Sequence, residues 1–144
     1  MRRKILIMGL PGTGKTTLAR SLAPKLNAVW FNADQVRETI SRDLGFSLKD
    51  RIEQARRMGA LCDEVVMEGK IAIADFVCPT PETRAAFGPA FVVFVDRITE
   101  SRFADTNNLF VAPDAYDVHV TASGDAELWA NRIVELLGGD GGGA

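Results

Sequence analysis

The nine residues GLPGTGKTT, positions 9–17, follow the apolar run Ile5-Leu6-Ile7-Met8 directly and precede a helix-like stretch at residues 18–26. A buried strand that empties through a glycine-rich loop into a helix severely limits the chain's architecture. Gly9-x4-Gly14-Lys15-Thr16 fits the phosphate-loop pattern GxxxxGK[ST],. Gly9, Gly12 and Gly14 let the main chain curl its amides inward without side-chain interference. The following helix adds the positive end of its dipole. Lys15 supplies a point charge for the β- and γ-phosphates, and the Thr16 hydroxyl supplies an oxygen ligand to Mg²⁺. With Thr13 and Thr17 these residues form the expected cradle for ATP and Mg²⁺. A glycine turn that merely caps a helix is the plain alternative.

Four further β-branched or aromatic runs read as buried strands, at residues 28–32, 71–76, 90–96 and 117–121. Helical stretches lie between and after them, at 33–42, 48–67, 81–86 and 125–137. In the longest, Ile52, Ala55, Met58, Cys62 and Val65 recur at helical spacing. Ser47 stands at its N-cap position, with Asp50 three residues on. Alternating strand and helix with near-continuously apolar strands predicts an α/β three-layer sandwich. Its five-stranded, mostly parallel sheet would have the P-loop NTPase, nucleoside-monophosphate-kinase-like fold. Residues 1–137 are expected to form one domain, and the glycine-rich residues 138–144 a disordered tail.

Other features narrow the setting. No apolar run approaches the roughly 20 residues a membrane span requires, and the short run after Arg2-Arg3-Lys4 reads as a first strand and not a signal peptide. Cys62 and Cys78 lack metal-site spacing, so reduced thiols and a cytoplasmic setting are expected. Residues 1–57 carry 12 Lys and Arg against 5 Asp and Glu, while residues 58–144 carry 5 against 14. A cationic first half suits an anionic ligand; solvated helix faces would produce the same count. No NKxD-like motif exists for a GTPase switch. The apolar run 71–74 ends in the lone Asp75 instead of the Asp-Glu of a motor ATPase. A small kinase is the class that remains.

Three segments resemble the adenylylsulfate kinase (APS kinase) family, which phosphorylates the 3′-hydroxyl of adenosine 5′-phosphosulfate. They are residues 9–17 with Leu18-Ala19; Asn32-Ala33-Asp34-Gln35-Val36-Arg37, similar to DGDNxR; and the block from Asp43 to Arg57, similar to DLGFSxxDRxENxRR. Val77-Cys78-Pro79 with Arg84 is a weaker match to ISP and a following Arg. The resemblance covers residues 4 to about 96. It implies that Asp34 accepts the proton of the acceptor hydroxyl. A position at the carboxyl end of the second strand suits that role, and it equally suits a helix N-cap. The resemblance further implies that Arg37 and Arg51 clamp the acceptor's anionic group and that Phe46 stacks on its base. Gln54, Cys78 and Pro79 would complete the acceptor site. Solvated ion pairs for the arginines and a core anchor for Phe46 are the competing readings.

The departures carry information. The first acid of DGD is Asn32 here, the Asn of DRxEN is Gln54, and the Ser of ISP is Cys78. The long lid after the fourth strand shrinks to residues 100–113, where Arg102 is the candidate cation for the transferring phosphate; an ordinary surface loop is the alternative. Asp75 stands where the family commonly has a small or hydroxyl residue. It could hold Mg²⁺ through water or act as the base. A reduced lid would open the acceptor site, so a hydroxymethyl-pyrimidine in DNA is a second acceptor beside the small nucleotide. The cationic residues Arg37, Arg42, Lys49, Arg51, Arg56 and Arg57 would then track the phosphate backbone. A nucleotide-binding module without turnover is the reading from another class. Partners would be a nucleotide-like acceptor or a modified DNA base, no membrane, and a homodimer as one possibility. His119 and Trp129 read as structural, Trp30 as core, and Cys78 as a buried pocket wall.

Overall fold

The structure is a computed structural model that describes residues 2–98, 101, 103–121 and 124–140. Strands β1 (Lys4–Met8), β2 (Val29–Asn32), β3 (Ala72–Asp75), β4 (Phe91–Val95) and β5 (Val118–Val120) alternate with helices. The helices are α1 (Lys15–Leu26), α2 (Ala33–Thr39), α3 (Leu48–Met67), α4 (Pro81–Phe87), α5 (Ala104–Leu109) and α6 (Ala126–Asp140). The sheet order is β2-β3-β1-β4-β5, and every pairing is parallel.

Two-residue alternation in the strands sends side chains to two separate cores. Ile5, Ile7, Ile73 and Val93 pack under Leu18, Leu22, Ile133 and Leu137 of α1 and α6. Leu6, Met8, Ala72, Ala74 and Phe94 pack under Ala55, Met58, Cys62 and Phe87 of α3 and α4. Both faces are therefore covered, which is why the strands lack a polar side. The chain leaves β1 between neighbours that come later in sequence, so the carboxyl ends of β1, β2 and β3 open onto one crevice,.

Where α3 crosses α4, the two backbones touch. A Cβ built on Gly59 would lie 2.3 Å from the carbonyl oxygen of Phe87. We expect Gly59→Ala to destabilise the fold by at least about 2 kcal/mol through overpacking, read as a lowered Tm with the helical circular-dichroism signal retained below it.

Several element ends differ from the sequence expectation, each for a local reason. The first helix starts at Lys15, three residues earlier than the apolar pattern indicated, because Gly14 at φ 94° turns the chain directly into it. Helix α2 stops at Thr39 instead of residue 42. There the Thr39 hydroxyl bonds back to the Gln35 carbonyl and the Ser41 N–H reaches the Val36 carbonyl, closing the turn,. Helix α6 runs on to Asp140, through the first two glycines of the stretch expected to form a disordered tail. Residues 141–144 lie outside the described residues. The stretch between β4 and β5 holds a six-residue helix, α5, that no periodicity announced. Among the described residues no helix is long and apolar enough to cross a membrane.

Candidate active site

The phosphate loop folds as its glycines require. At Gly9, with φ 150°, a Cβ would lie 2.3 Å from the Val95 carbonyl oxygen, so only glycine lets β1 leave the sheet there. Lys15 is 8% exposed, and its Nζ donates to the Leu10 carbonyl at 2.8 Å. Burial pulls its ammonium from 10.5 down to about 8, against the opposing charges of Asp75 and Asp34. Thr13 donates to the same Leu10 oxygen at 2.9 Å, bracing the loop from within.

One cleft of about 1210 Å³ joins the loop to the other candidates. It brings together Lys15, Thr16, Asp34 and Asp75 on the phosphate side, and Arg37, Phe46, Arg51, Gln54, Cys78 and Pro79 on the other. Sequence reasoning had assigned every one of these to the site. Asp34 is exposed in the first turn of α2. It is not the helix cap: Asn32 is, its Oδ1 accepting from the N–H groups of Asp34 at 3.1 Å and Gln35 at 3.2 Å. That leaves the Asp34 carboxylate free of capping duty.

Phe46 is 65% exposed and is no core anchor. Its ring centroid lies 4.3 Å from the Arg37 guanidinium carbon and 5.5 Å from that of Arg51, an exposed aromatic ring beside two cations. Arg37 donates to the Gly45 carbonyl at 2.8 Å. Arg51 donates from Nε to the Phe46 carbonyl at 2.8 Å and from Nη2 to the Thr106 hydroxyl at 3.0 Å. The second of these bonds ties α5 across the cleft, so the shortened segment is more than a surface loop. The ion-pair alternative for Arg37 and Arg51 gives way to these carbonyl and hydroxyl partners. Gln54 is buried, with Nε2 donating to the Ala33 carbonyl at 3.4 Å and Oε1 without a hydrogen-bond partner among the described residues. A buried acceptor of this kind costs about 1–3 kcal/mol until a donor reaches it.

Cys78 is buried at the cleft wall with φ 48°, an uncommon conformation for a side-chain-bearing residue. Burial pushes its thiol up to about 12, which keeps it protonated. Ser47 accepts from Asp50 N at 3.1 Å as expected, while the Asp50 carboxylate itself accepts from Gly45 N at 2.8 Å. The GFSxxD block is thus a locally knotted turn that aims Phe46 into the cleft.

Two of the six residues of the expected cationic track are occupied by neighbouring acids. Arg56 and Arg57 both bond to Glu53, and Arg57 also bonds to Asp43 at 2.8 Å. Those guanidinium groups hold the Glu53 carboxyl down to about 2. Arg42 folds back onto the Glu38 carbonyl. Arg56 and Arg57, paired in this way with Glu53 and Asp43, have little charge left for a nucleic-acid backbone. Arg102 lies outside the described residues.

Two features escaped the sequence reading. Trp30 is not simply core: its indole Nε1 donates to Asp75 Oδ2 at 2.8 Å. A second cavity of about 350 Å³ adjoins the loop on its far side, lined by Gly14, Thr17, Arg97, Gly124 and Trp129 among others. Arg97 is fixed there by the Thr121 and Gly124 carbonyls. His119 stacks on Phe94 at 5.3 Å and meets Asp96 at 2.9 Å, away from the cleft.

Comparison with known proteins decides the family. The adenylylsulphate kinase family model matches residues 2–108. The chain belongs to that family. An adenylyl-sulfate kinase of Chloroflexus aurantiacus is 42% identical over 82 residues, 54% of this chain and 44% of that protein. The bifunctional enzyme NodQ of Azospirillum brasilense is 29% identical over 160 residues, 90% of this chain and 26% of that protein. The chain thus spans less than half the length of these curated relatives. The Mycobacterium tuberculosis APS kinase CysC, solved with AMPPNP and APS, superposes with a TM-score of 0.85 at 23% identity, over 94% of this chain and 98% of that one. At that identity the likeness establishes the fold, a P-loop kinase sheet.

Proposed function

We propose that this member of the adenylylsulfate kinase family is an ATP-dependent kinase that passes the γ-phosphoryl group to the 3′-hydroxyl of adenosine 5′-phosphosulfate. The observation that carries the reading is a single cleft with a phosphate loop at one end and an exposed aromatic ring beside two arginines at the other. A purine on Phe46 with its anionic group on Arg37 and Arg51 would place a ribose hydroxyl toward Asp34. The unpartnered Gln54 oxygen supplies an acceptor for a substrate N–H or O–H.

The donor's phosphates would lie on the loop amides and Lys15, with its base in the smaller cavity beside Thr17, Arg97 and Trp129. Thr16 and Asp75 offer the hard oxygen donors Mg²⁺ prefers, and their side chains meet at 3.4 Å,. Mg²⁺ is commonly held by one or two protein oxygens together with water and substrate phosphates. When bound there, Mg²⁺ would neutralise charge on the β- and γ-phosphate oxygens. Asp34 accepts the hydroxyl proton as its oxygen approaches phosphorus; the P–O bond to ADP breaks on the opposite side. Lys15 stabilises the charge that moves onto the leaving oxygens. Positioning supplies most of the rate, because phosphoryl transfer asks little covalent chemistry of the protein.

A transfer assay with γ-labelled ATP tests the reading against adenosine 5′-phosphosulfate, simple nucleosides, and DNA with and without hydroxymethylated pyrimidines. Label is expected in the sulfonucleotide. Label found only in DNA would replace the acceptor, and label in none would leave a binding module. Phe46→Ala should raise KM for the acceptor about tenfold with a smaller change in kcat, since base–aromatic stacking contributes roughly 1–3 kcal/mol. An unchanged KM would remove the ring from the acceptor site.

A further inference from the structure

Asp75 ends β3 at 2% exposure, deep in the cleft floor. Its two oxygens are treated differently. Oδ2 accepts from Trp30 Nε1 at 2.8 Å and from Asn32 Nδ2 at 3.1 Å. Among the described residues Oδ1 meets only the Thr16 hydroxyl, at the long distance of 3.4 Å. The carboxylate is therefore anchored by one edge and presents the other to the phosphate-loop threonine.

The anchor is built across the sheet. Asn32 and Asp75 are register partners in the β2–β3 pair, as are Trp30 and Ile73. Asn32 cannot turn its amide around, because its Oδ1 already accepts two N–H groups of α2. Its NH₂ must face Asp75 and Thr16, which it also reaches at 3.3 Å. An aspartate at 32 would cap α2 equally well. It would, however, set a second carboxylate against Oδ2 where a donor now sits, and two carboxylates at that separation cannot both stay ionised without cost. The Asn at 32 and the Asp at 75 are therefore one coupled departure from the DGD pattern, with the acid moved one strand across the sheet.

We propose that Trp30 and Asn32 are positioning residues that hold Asp75 so its free oxygen faces a divalent cation at Thr16, replacing an acid at position 32. The inference rests on the nucleotide site proposed above and adds which side chains set its metal affinity. Trp30 is the residue that makes the transposed acid workable, since it supplies the shorter of the two N–H bonds.

The test reads Mn²⁺ affinity by electron paramagnetic resonance with a non-hydrolysable ATP analogue present, and nucleotide affinity separately without metal. Four variants are compared with the wild type: Trp30→Phe, Asn32→Asp, Asp75→Ser and the double variant Asn32→Asp/Asp75→Ser. Trp30→Phe keeps the ring and deletes the N–H; we expect Mn²⁺ to bind three- to tenfold more weakly, with metal-free nucleotide affinity unchanged. Each single substitution at 32 and 75 should weaken Mn²⁺ tenfold or more, and the double variant should recover most of that loss. Recovery separates positioning from general damage, because a merely structural defect would accumulate. If the analogue binds and wild-type Mn²⁺ affinity persists in Trp30→Phe and Asp75→Ser, the inference is overturned while the nucleotide site stands. If the wild type binds no analogue, both fall. Should Asp75→Ser not fold, Trp30→Phe and Asn32→Asp decide the matter, and wild-type Mn²⁺ affinity in both overturns it.

Discussion

Lys15→Ala is expected to lose at least tenfold in nucleotide affinity and about 10²–10³-fold in kcat, the range seen when one preorganised donor to developing charge is removed. The argument begins with burial. An ammonium that is 8% exposed is poorly hydrated, so its interaction with phosphate oxygens is little screened,. No other cation lies on the loop to take its place: the remaining loop residues contribute amides and hydroxyls. The fold should tolerate the change, because the Leu10 carbonyl that accepts from Lys15 keeps the Thr13 hydroxyl as a donor. The same burial gives a pH signature. Without nucleotide, Lys15 is charged below about pH 8 and loses its proton as pH rises through that value. Phosphate selects the charged form, so wild-type nucleotide affinity should decline above about pH 8 by up to tenfold per unit. Lys15→Ala should lack that decline. Calorimetric titration with ATP across pH 6–10 checks both statements, and a variant with wild-type affinity and rate would remove the ammonium from the reaction.

Much of this cleft was legible in the sequence because its parts are local. A phosphate loop is nine consecutive residues whose geometry follows from glycine positions, and Phe46 with Arg51 belongs to one capped turn into α3. What stayed hidden depends on contacts across the sheet or between distant segments. Trp30 looks like any aromatic strand residue until register places it two residues from Asn32 and one strand from Asp75. Thr106 carries no mark of its bond to Arg51, 55 residues away. Asn32 and Asp75 read as two separate departures, because only strand register shows that they face each other. The basic residues of α3 misled in the opposite direction. Composition counts Arg56 and Arg57 as available charge, whereas helical spacing already puts Glu53 three and four residues before them,. Helix α5 was missed for a further reason: six residues are too few to show a helical period, and its stability comes from the Thr106 bond and from packing near Phe110.

Asp34→Asn should separate binding from chemistry. Metal-free ATP affinity is expected to stay within about twofold, since Asp34 borders the phosphate site without hydrogen-bonding to the loop. Transfer should fall about 10²–10⁴-fold, the usual contribution of a positioned base. Asparagine preserves size and leaves the Asn32 cap intact, because that cap uses the backbone N–H of residue 34. The structural losses are a favourable charge in the first turn of α2, about 0.3–1 kcal/mol, and the attraction of Asp34 for Lys15 and Arg37. The contrast with Asp75 sharpens the assignment. Asp75 is buried with one oxygen doubly bonded to N–H donors, which suits a fixed ligand and leaves it badly placed to receive a proton from a mobile hydroxyl. Asp34 is exposed at the cleft rim, where an acceptor hydroxyl can approach it. Pre-steady-state transfer with saturating ATP and Mg²⁺ provides the measurement. A lowered burst rate with unchanged Mn²⁺ affinity assigns Asp34 to proton acceptance, whereas unchanged turnover in Asp34→Asn returns that role to Asp75.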